Sequence, residues 1–329
     1  MSGLVAAAWH RAVAGRRRTT LVAAALVAAA VLASCTEVPS GSEKATIIVT
    51  TNILGDITRN IVGDGATVVV LMEANADPHS FGVSAHQAGL MERAELIVFN
   101  GLGLEEAVLG HIDSAKEQGV PALEVGAAVN PLMLPGADSR GTPDPHFWTD
   151  PQRVLAAVEA IEDAVTQHVG LSDPELVHSN AAAYRAQVAA LDQWMAAEFG
   201  AVPPARRKII TNHHVFGYLA QRYGLEVIGA VMPSGTTLAA PSAADLNALA
   251  GAVRDAGVPA IFADTSQPDK LARVLAEESK VAVEIVPLFS ESLSAPGEGA
   301  GTYVEMMRSN TARMTTALSG QPRVADGPR

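Results

Sequence analysis

The sequence predicts an α/β protein of two lobes, each with a mostly parallel sheet flanked by helices, joined by one long rigid helix. Three observations lead there. The chain has 329 residues, too many for one typical core and about right for two, since domains usually run to roughly 100–200 residues. Short β-rich runs alternate with helix-like stretches in both halves, the βαβ rhythm of a parallel sheet. Between the halves, residues 173–199 open on Asp173-Pro174 and continue without a helix breaker. If continuous, that stretch makes a rod about 40 Å long at 1.5 Å per residue. A composition of 48% hydrophobic, 18% charged and 4% aromatic residues fits an aliphatic interior and excludes a disordered or fibrous chain.

In the first half, strands are expected at 45–50, 67–72, 96–100 and 122–125, with helices at 55–62, 84–93 and 105–118. A helix at 151–168 opens after Asp150, and the long helix follows until Pro203-Pro204 stops it. In the second half, strands are expected at 208–211, 226–231, 260–263 and 281–286, helices at 218–223, 243–256 and 270–278, and a closing helix at 303–318. No fixed-period repeat links the halves, so they are alike in pattern only. The expected organisation is a signal peptide at 1–35, a tether at 36–44, a first lobe at 45–172, a linking helix at 173–200, a second lobe at 201–320 and a frayed tail at 321–329.

The amino terminus carries its own signal. Arg11, Arg16, Arg17 and Arg18 precede an uncharged apolar stretch from Leu21 to Ala33, shorter than the roughly 20 residues a membrane-spanning helix needs, which reads as a signal peptide. It ends in Leu32-Ala33-Ser34-Cys35, and Cys35 is the only cysteine, so it forms no disulfide within its own chain. The tetrapeptide resembles a bacterial lipobox, which implies lipidation of Cys35 and a membrane anchor in which each buried CH₂ contributes about 0.8 kcal/mol. A net charge of −12 with no run of Lys or Arg after Arg18 gives a nucleic-acid surface no electrostatic support.

The chemistry concentrates in the nine histidines. His10 belongs to the signal, and His86, His111, His168 and His178 lie in helix-like stretches where structural roles suffice. His79, His146, His213 and His214 follow strand or loop ends, where open parallel sheets place their ligand crevice. His79 and His146 each stand in an Asp-Pro-His triplet, in Asp77-Pro78-His79-Ser80-Phe81 and Asp144-Pro145-His146-Phe147-Trp148-Thr149-Asp150-Pro151. Proline fixes φ and aspartate accepts local backbone hydrogen bonds, so each triplet presents an imidazole from a stiff loop. Adjacent residues of an extended segment point to opposite sides, so one of His213 and His214 faces the crevice. Glu291 follows the last expected strand and offers a carboxylate. Three imidazoles and one carboxylate suit a tetrahedral Zn²⁺ shell, whereas Ca²⁺ or Mg²⁺ requires more oxygens.

These motifs, together with Asn100-Gly101-Leu102-Gly103-Leu104-Glu105, His213-His214-Val215-Phe216-Gly217-Tyr218, Ile261-Phe262-Ala263-Asp264, Leu288 to Leu293 and Gly301 to Met307, resemble the solute-binding lipoproteins of zinc and manganese ABC importers. They occur in that family's order over nearly all of the chain after the tether. The resemblance implies that His79, His146, His213 and Glu291 are the metal ligands, with Glu291 where aspartate is usual. It sets His214 where an acidic residue is usual and Asp264 where a carboxylate supports the cleft. A histidine at the third ligand is similar to the zinc members, so the implied cargo is Zn²⁺, with Mn²⁺ the alternative. Many zinc members carry a histidine-rich loop between the first two ligand motifs, but 131–143 here contains no histidine. The implied protein is a monomer held outside the cytoplasm by its lipid, delivering its ion to permease and ATPase subunits. Imidazole must be neutral to ligate, so affinity is expected to fall below about pH 6.5.

Two other classes fit the sequence less well. A zinc hydrolase needs an open position for water, which Glu291 would fill, and neither His-Glu-x-x-His nor Gly-x-Ser-x-Gly is present; the expectation is a non-enzyme. Cell adhesion by the same fold has no motif of its own.

Overall fold

A computed structural model describes residues 44–135, 141–232 and 234–320. The expected signal peptide with Cys35, the tether before Lys44 and the tail at 321–329 lie outside the described residues. Strands β1 (Thr46–Val49), β2 (Thr67–Val70), β3 (Leu96–Phe99) and β4 (Ala122–Glu124) form a parallel sheet in the order β2-β1-β3-β4. Strands β5 (Lys208–Thr211), β6 (Glu226–Ala230), β7 (Ala260–Asp264) and β8 (Glu284–Leu288) form a second, in the equivalent order β6-β5-β7-β8. The central strands β3 and β7 are buried throughout, which is why they read as unbroken apolar runs rather than alternating ones. In each sheet the order reverses beside the first strand, and such a switch point opens a crevice at the carboxyl ends of the strands.

The helices of the first half are α1 (Asn52–Val62), α2 (Ala85–Met91), α3 (Glu106–Glu117), the single turn α4 (Val125–Ala128) and α5 (Pro151–His168). Next comes α6 (Pro174–Ala201), 28 residues, about 42 Å at 1.5 Å per residue. Asp173 caps it by accepting the N–H of Leu176 at 3.3 Å, and Pro174 fills the first turn, where no N–H is missed. Its buried residues Val177, Ala181, Tyr184, Val188, Leu191, Met195 and Phe199 recur every three or four positions, forming one stripe. The second half adds α7 (Gly217–Tyr223), α8 (Ala243–Ala256), α9 (Lys270–Ser279) and α10 (Tyr303–Ser319).

One continuous core joins the inner faces of both sheets. It runs from Ile47 and Val98 through the stripe of α6 to Ile209, Phe262 and Leu288. The outer faces have separate cores, Ile48 and Ile97 with Val108 of α3, and Ile210 and Ile261 with Val253 of α8 and Leu275 of α9. Prying the lobes apart would wet the shared core, at about 25 cal/mol per Å² of apolar surface exposed. Among the described residues no helix is long and apolar enough to cross a membrane.

The last strand differs from expectation. It was expected at 281–286 and occupies Glu284–Leu288, because Lys280 ends α9 in a left-handed conformation, φ 55°, and Val281 is exposed. Pairing of Ala260 with Glu284 then sets where the strand begins. The single turns Val125–Ala128, Phe147–Thr149 and Pro204–Arg206 went unforeseen, since each is too short for a hydrophobic period to register. His178 is structural, with Nδ1 2.7 Å from Glu162 Oε1 and Arg185 on the other carboxylate oxygen.

Buried Asp192 ties three helices together, accepting from Gln152 Nε2 of α5 at 2.8 Å, Arg222 Nε at 3.0 Å and the Tyr223 hydroxyl at 2.9 Å, both of α7. Asp192→Ala removes the acceptor these donors share and is expected to destabilise the fold by about 1–3 kcal/mol, read as a lower urea midpoint at unchanged slope.

Candidate metal centre

His79, His213 and Glu291 sit in loops that follow β2, β5 and β8, His146 lies between α4 and α5, and Asp264 ends β7. After β2, Asp77 Oδ1 accepts the backbone N–H of His79 at 2.9 Å, closing the turn that Pro78 stiffens. In the second triplet, Asp144 Oδ1 accepts the N–H of His146 at 3.0 Å and also lies 2.7 Å from His146 Nδ1. That second contact holds the proton on Nδ1 and leaves the Nε2 lone pair free to face the crevice.

The family-like motifs brace this second loop. Asn100 Nδ2 donates to the Pro145 carbonyl at 3.0 Å, and Glu105 in turn accepts from Asn100 N–H at 2.7 Å, Gly101 N–H at 2.9 Å and the Thr50 hydroxyl at 2.7 Å. The Tyr218 hydroxyl donates to the Asp144 carbonyl at 2.7 Å and accepts the N–H of Leu132 at 3.0 Å. A Cβ on Gly217 would stand 2.8 Å from Asp144 Oδ2, so only glycine before Tyr218 lets that carboxylate lie where it does. Trp148 Nε1 donates to the Ser290 carbonyl at 2.9 Å, and the Tyr303 hydroxyl donates to the Trp148 carbonyl at 2.9 Å, binding this loop to the one that carries Glu291.

His213 and His214 fall in a bend just after β5 ends, not in the strand itself. His213 joins the cluster and is fully buried, with Nδ1 3.3 Å from Asn212 Oδ1; His214 stays outside, its N–H donating to the Ser234 carbonyl at 3.1 Å. Asp264 also lies outside the cluster. Its Oδ2 accepts the N–H groups of Ser290 at 3.0 Å and Glu291 at 3.2 Å, so it shapes the loop that delivers Glu291.

The side chains of His79, His146, His213 and Glu291 converge, one ligand atom from each lying within 4.8 Å of all the others. Nε2 of His146 is 3.4 Å from Nε2 of His79; the carboxylate oxygens of Glu291 stand 2.9 Å from His213, 3.6 Å from His146 and 3.8 Å from His79. Donors at about 2.0–2.1 Å from one ion in a tetrahedron are separated by about 3.3–3.4 Å, and the observed spacings bracket that value. His213 Nε2 and both Glu291 oxygens are buried without a hydrogen bond, even though Nε2 and Oε1 stand 2.9 Å apart. Closeness without hydrogen-bond geometry is how ligands of a shared cation are arranged, and buried polar atoms otherwise need partners.

Burial sets the protonation of the cluster. Desolvation, helped by the neighbouring imidazoles His146 and His213, lowers His79 to about 2. Burial lowers His213 to about 4, and raises Glu291 to about 8 with help from the nearby Asp264, Asp77 and Asp144 charges. At neutral pH, His79 and His213 are therefore neutral and ready to ligate, while Glu291 keeps its proton until a cation displaces it.

Residues 47–317 match the family described as ZnuA, zinc-uptake complex component A, periplasmic. This chain belongs to that family. Its members are substrate-binding proteins of ABC transporters, not enzymes, and work with permease and ATPase components. The manganese-binding lipoprotein MntA of Halalkalibacterium halodurans is 25% identical over 280 residues, covering 84% of this chain and 89% of that protein. The zinc-binding protein TroA of Treponema pallidum is 28% identical over 280 residues, with 84% and 89% covered, and the iron-binding protein YfeA of Yersinia pestis is 28% identical over 273 residues, with 82% and 85% covered. Among solved structures, periplasmic zinc-binding TroA superposes with a TM-score of 0.78 at 27% identity, over 84% of this chain and 99% of that one. A manganese-bound periplasmic protein of Candidatus Liberibacter asiaticus gives 0.74 at 26% identity, over 84% and 100%. Two α/β lobes with parallel sheets are thus the fold of this family as well as of this chain.

Sequence reasoning did not single out the hydroxyl of Tyr218, which touches both Leu132 and Asp144. Tyr218→Phe removes that bridge while keeping the ring, and metal affinity measured by competition with a chelating dye is expected to fall about tenfold.

Proposed function

We propose that this chain is an extracytoplasmic solute-binding lipoprotein that captures one Zn²⁺ through His79, His146, His213 and Glu291 and hands it to an ABC importer. The observation that carries this reading is the convergence of four buried side chains whose ligand atoms have a metal's spacing and few partners of their own. Three imidazoles and a carboxylate favour borderline Zn²⁺ over harder cations, and four protein ligands leave no open position for a reactive water. A lipid anchor at Cys35 is supported by the lipobox-like end of the apolar stretch and by relatives named as lipoproteins. A single chain supplies all four ligands, so a monomer suffices. Manganese is the second reading, supported by relatives named for that metal at similar identity.

Elemental analysis of protein purified without added metal is expected to find one zinc per chain, and His213→Ala is expected to weaken binding more than about 100-fold, since even changes beyond the ligands themselves cost about 10–100-fold. Manganese or iron at the same stoichiometry would overturn the zinc assignment; no metal in either protein would overturn the site.

The pH dependence has a definite sign. Glu291 is protonated below about 8 and must lose that proton to ligate, so affinity is expected to be level above pH 8 and to fall up to about tenfold per unit below it. The sequence places the fall near 6.5, the ordinary imidazole value; burial moves the histidine contribution down to about 4 for His213 and hands the neutral range to the carboxyl. Isothermal titration in buffers of different ionisation enthalpy should count about one proton released per ion at pH 7.

A further inference from the structure

The two Asp-Pro-His triplets, identical in sequence, are put to different uses. Asp144 holds the ring of its own histidine. Asp77 accepts only the backbone N–H of His79 with Oδ1, and turns Oδ2 to the opposite lobe, where it accepts the Thr237 hydroxyl at 2.6 Å and Gln267 Nε2 at 2.7 Å. The nearby Ser80 hydroxyl reaches the same oxygen only at 3.4 Å. Thr237 lies in the loop after β6 and Gln267 in the loop after β7, so one carboxylate oxygen joins the His79 loop to two loops of the second lobe.

The rest of the seam is tied differently. Asn52 Nδ2 donates to Ser292 Oγ at 2.7 Å, Asn52 Oδ1 accepts the N–H of Leu293 at 2.9 Å, and the N–H of Asn75 donates to the Leu293 carbonyl at 3.0 Å. Those bonds are between neutral groups; with the Trp148 and Tyr303 hydroxyl contacts, and the N–H of Tyr303 donated to Asp56 Oδ2 at 2.9 Å, they secure the Glu291 side. The Asp77 pair is charge-assisted, shielded by burial of the aspartate, and about twice as strong as a neutral pair.

We propose that Asp77, Thr237 and Gln267 form a latch across the cleft that sets how fast the ion leaves, acting as positioning residues and not as ligands. The inference rests on the metal reading above. For the ion to escape, His79 must draw back from His213 and Glu291, and its loop cannot retreat far without breaking both bonds to Asp77 Oδ2. Metal in the site and a closed latch favour the same arrangement of the loops, so each stabilises the other by the same factor. Both bonds must break before the His79 loop can retreat, so their effect is read on release.

The test is stopped-flow release of Zn²⁺ to excess chelator, comparing the zinc-loaded wild type with the Thr237→Val/Gln267→Leu double variant, which removes both donors and leaves every ligand and Asp77 in place. The expected result is release at least tenfold faster, an association rate within twofold of wild type, and one zinc per chain. Thr237→Ser keeps a hydroxyl donor and is expected to release like wild type; Thr237→Val alone, nearly isosteric, should shift release in the same direction by a smaller factor. Unchanged release in the double variant, or a Thr237→Ser protein as defective as the double, would overturn the latch while leaving the metal site intact. A wild-type protein that takes up no ion would instead overturn the site, and the latch with it.

Discussion

Four polar side chains kept from water and turned toward one point form the constraint on which the surrounding structure depends. A buried imidazole nitrogen or carboxylate oxygen without a partner is unfavourable by roughly 1–3 kcal/mol, so the cluster persists only where its neighbours leave it nowhere else to turn. Those neighbours are specific. Asp144 holds the His146 ring, Glu105 and Asn100 hold the backbone beneath it, and Asp264 holds the loop that delivers Glu291. Dryness then sets the chemistry, because the same burial that keeps His79 and His213 neutral makes Glu291 retain its proton. A divalent cation supplies what the Glu291 carboxyl needs in order to ionise.

The lobes are two in their sheets but one in their interior. Because α6 lays a single apolar stripe against α1 and α5 on one side and α7 and α10 on the other, within one shared core, a wide hinge would uncover the core itself. Motion that admits and releases an ion is more economically placed in the loops that carry Asp77, Thr237 and Gln267, which are tied across the seam by hydrogen bonds. This separation between an immobile interior and loops secured by a few polar contacts gives the Asp77 contacts their leverage, since they are made by loop residues on both sides of the seam.

Much of the fold was legible because its signals are local. The bounds 151–168 and 243–256 agree with the helices Pro151–His168 and Ala243–Ala256, since an Asp cap followed by proline, and a Ser capping box closed by glycine, punctuate those helices within a few residues. The last strand escaped by three residues at its start because its limits are set by pairing with β7, a partner some 24 positions away. The recurrence of Asp-Pro-His, and the tryptophan after its second copy, pointed to a metal crevice without any knowledge of contacts.

By itself, the sequence determined the α/β pattern, the long helix, the family resemblance and the short list of side chains able to ligate, all of which are written in spacing and residue type. The resemblance already pointed to His213 over His214 and to a supporting Asp264; only the tertiary structure decided which loop Asp264 braces, that Tyr218 and Asn100 support His146, and that twin triplets serve different partners. It also decided the protonation of Glu291. The reason is common to all of these: burial and hydrogen bonding between residues far apart in the chain, 190 positions for Asp77 and Gln267, exist only once the chain has folded and water has been excluded from between them.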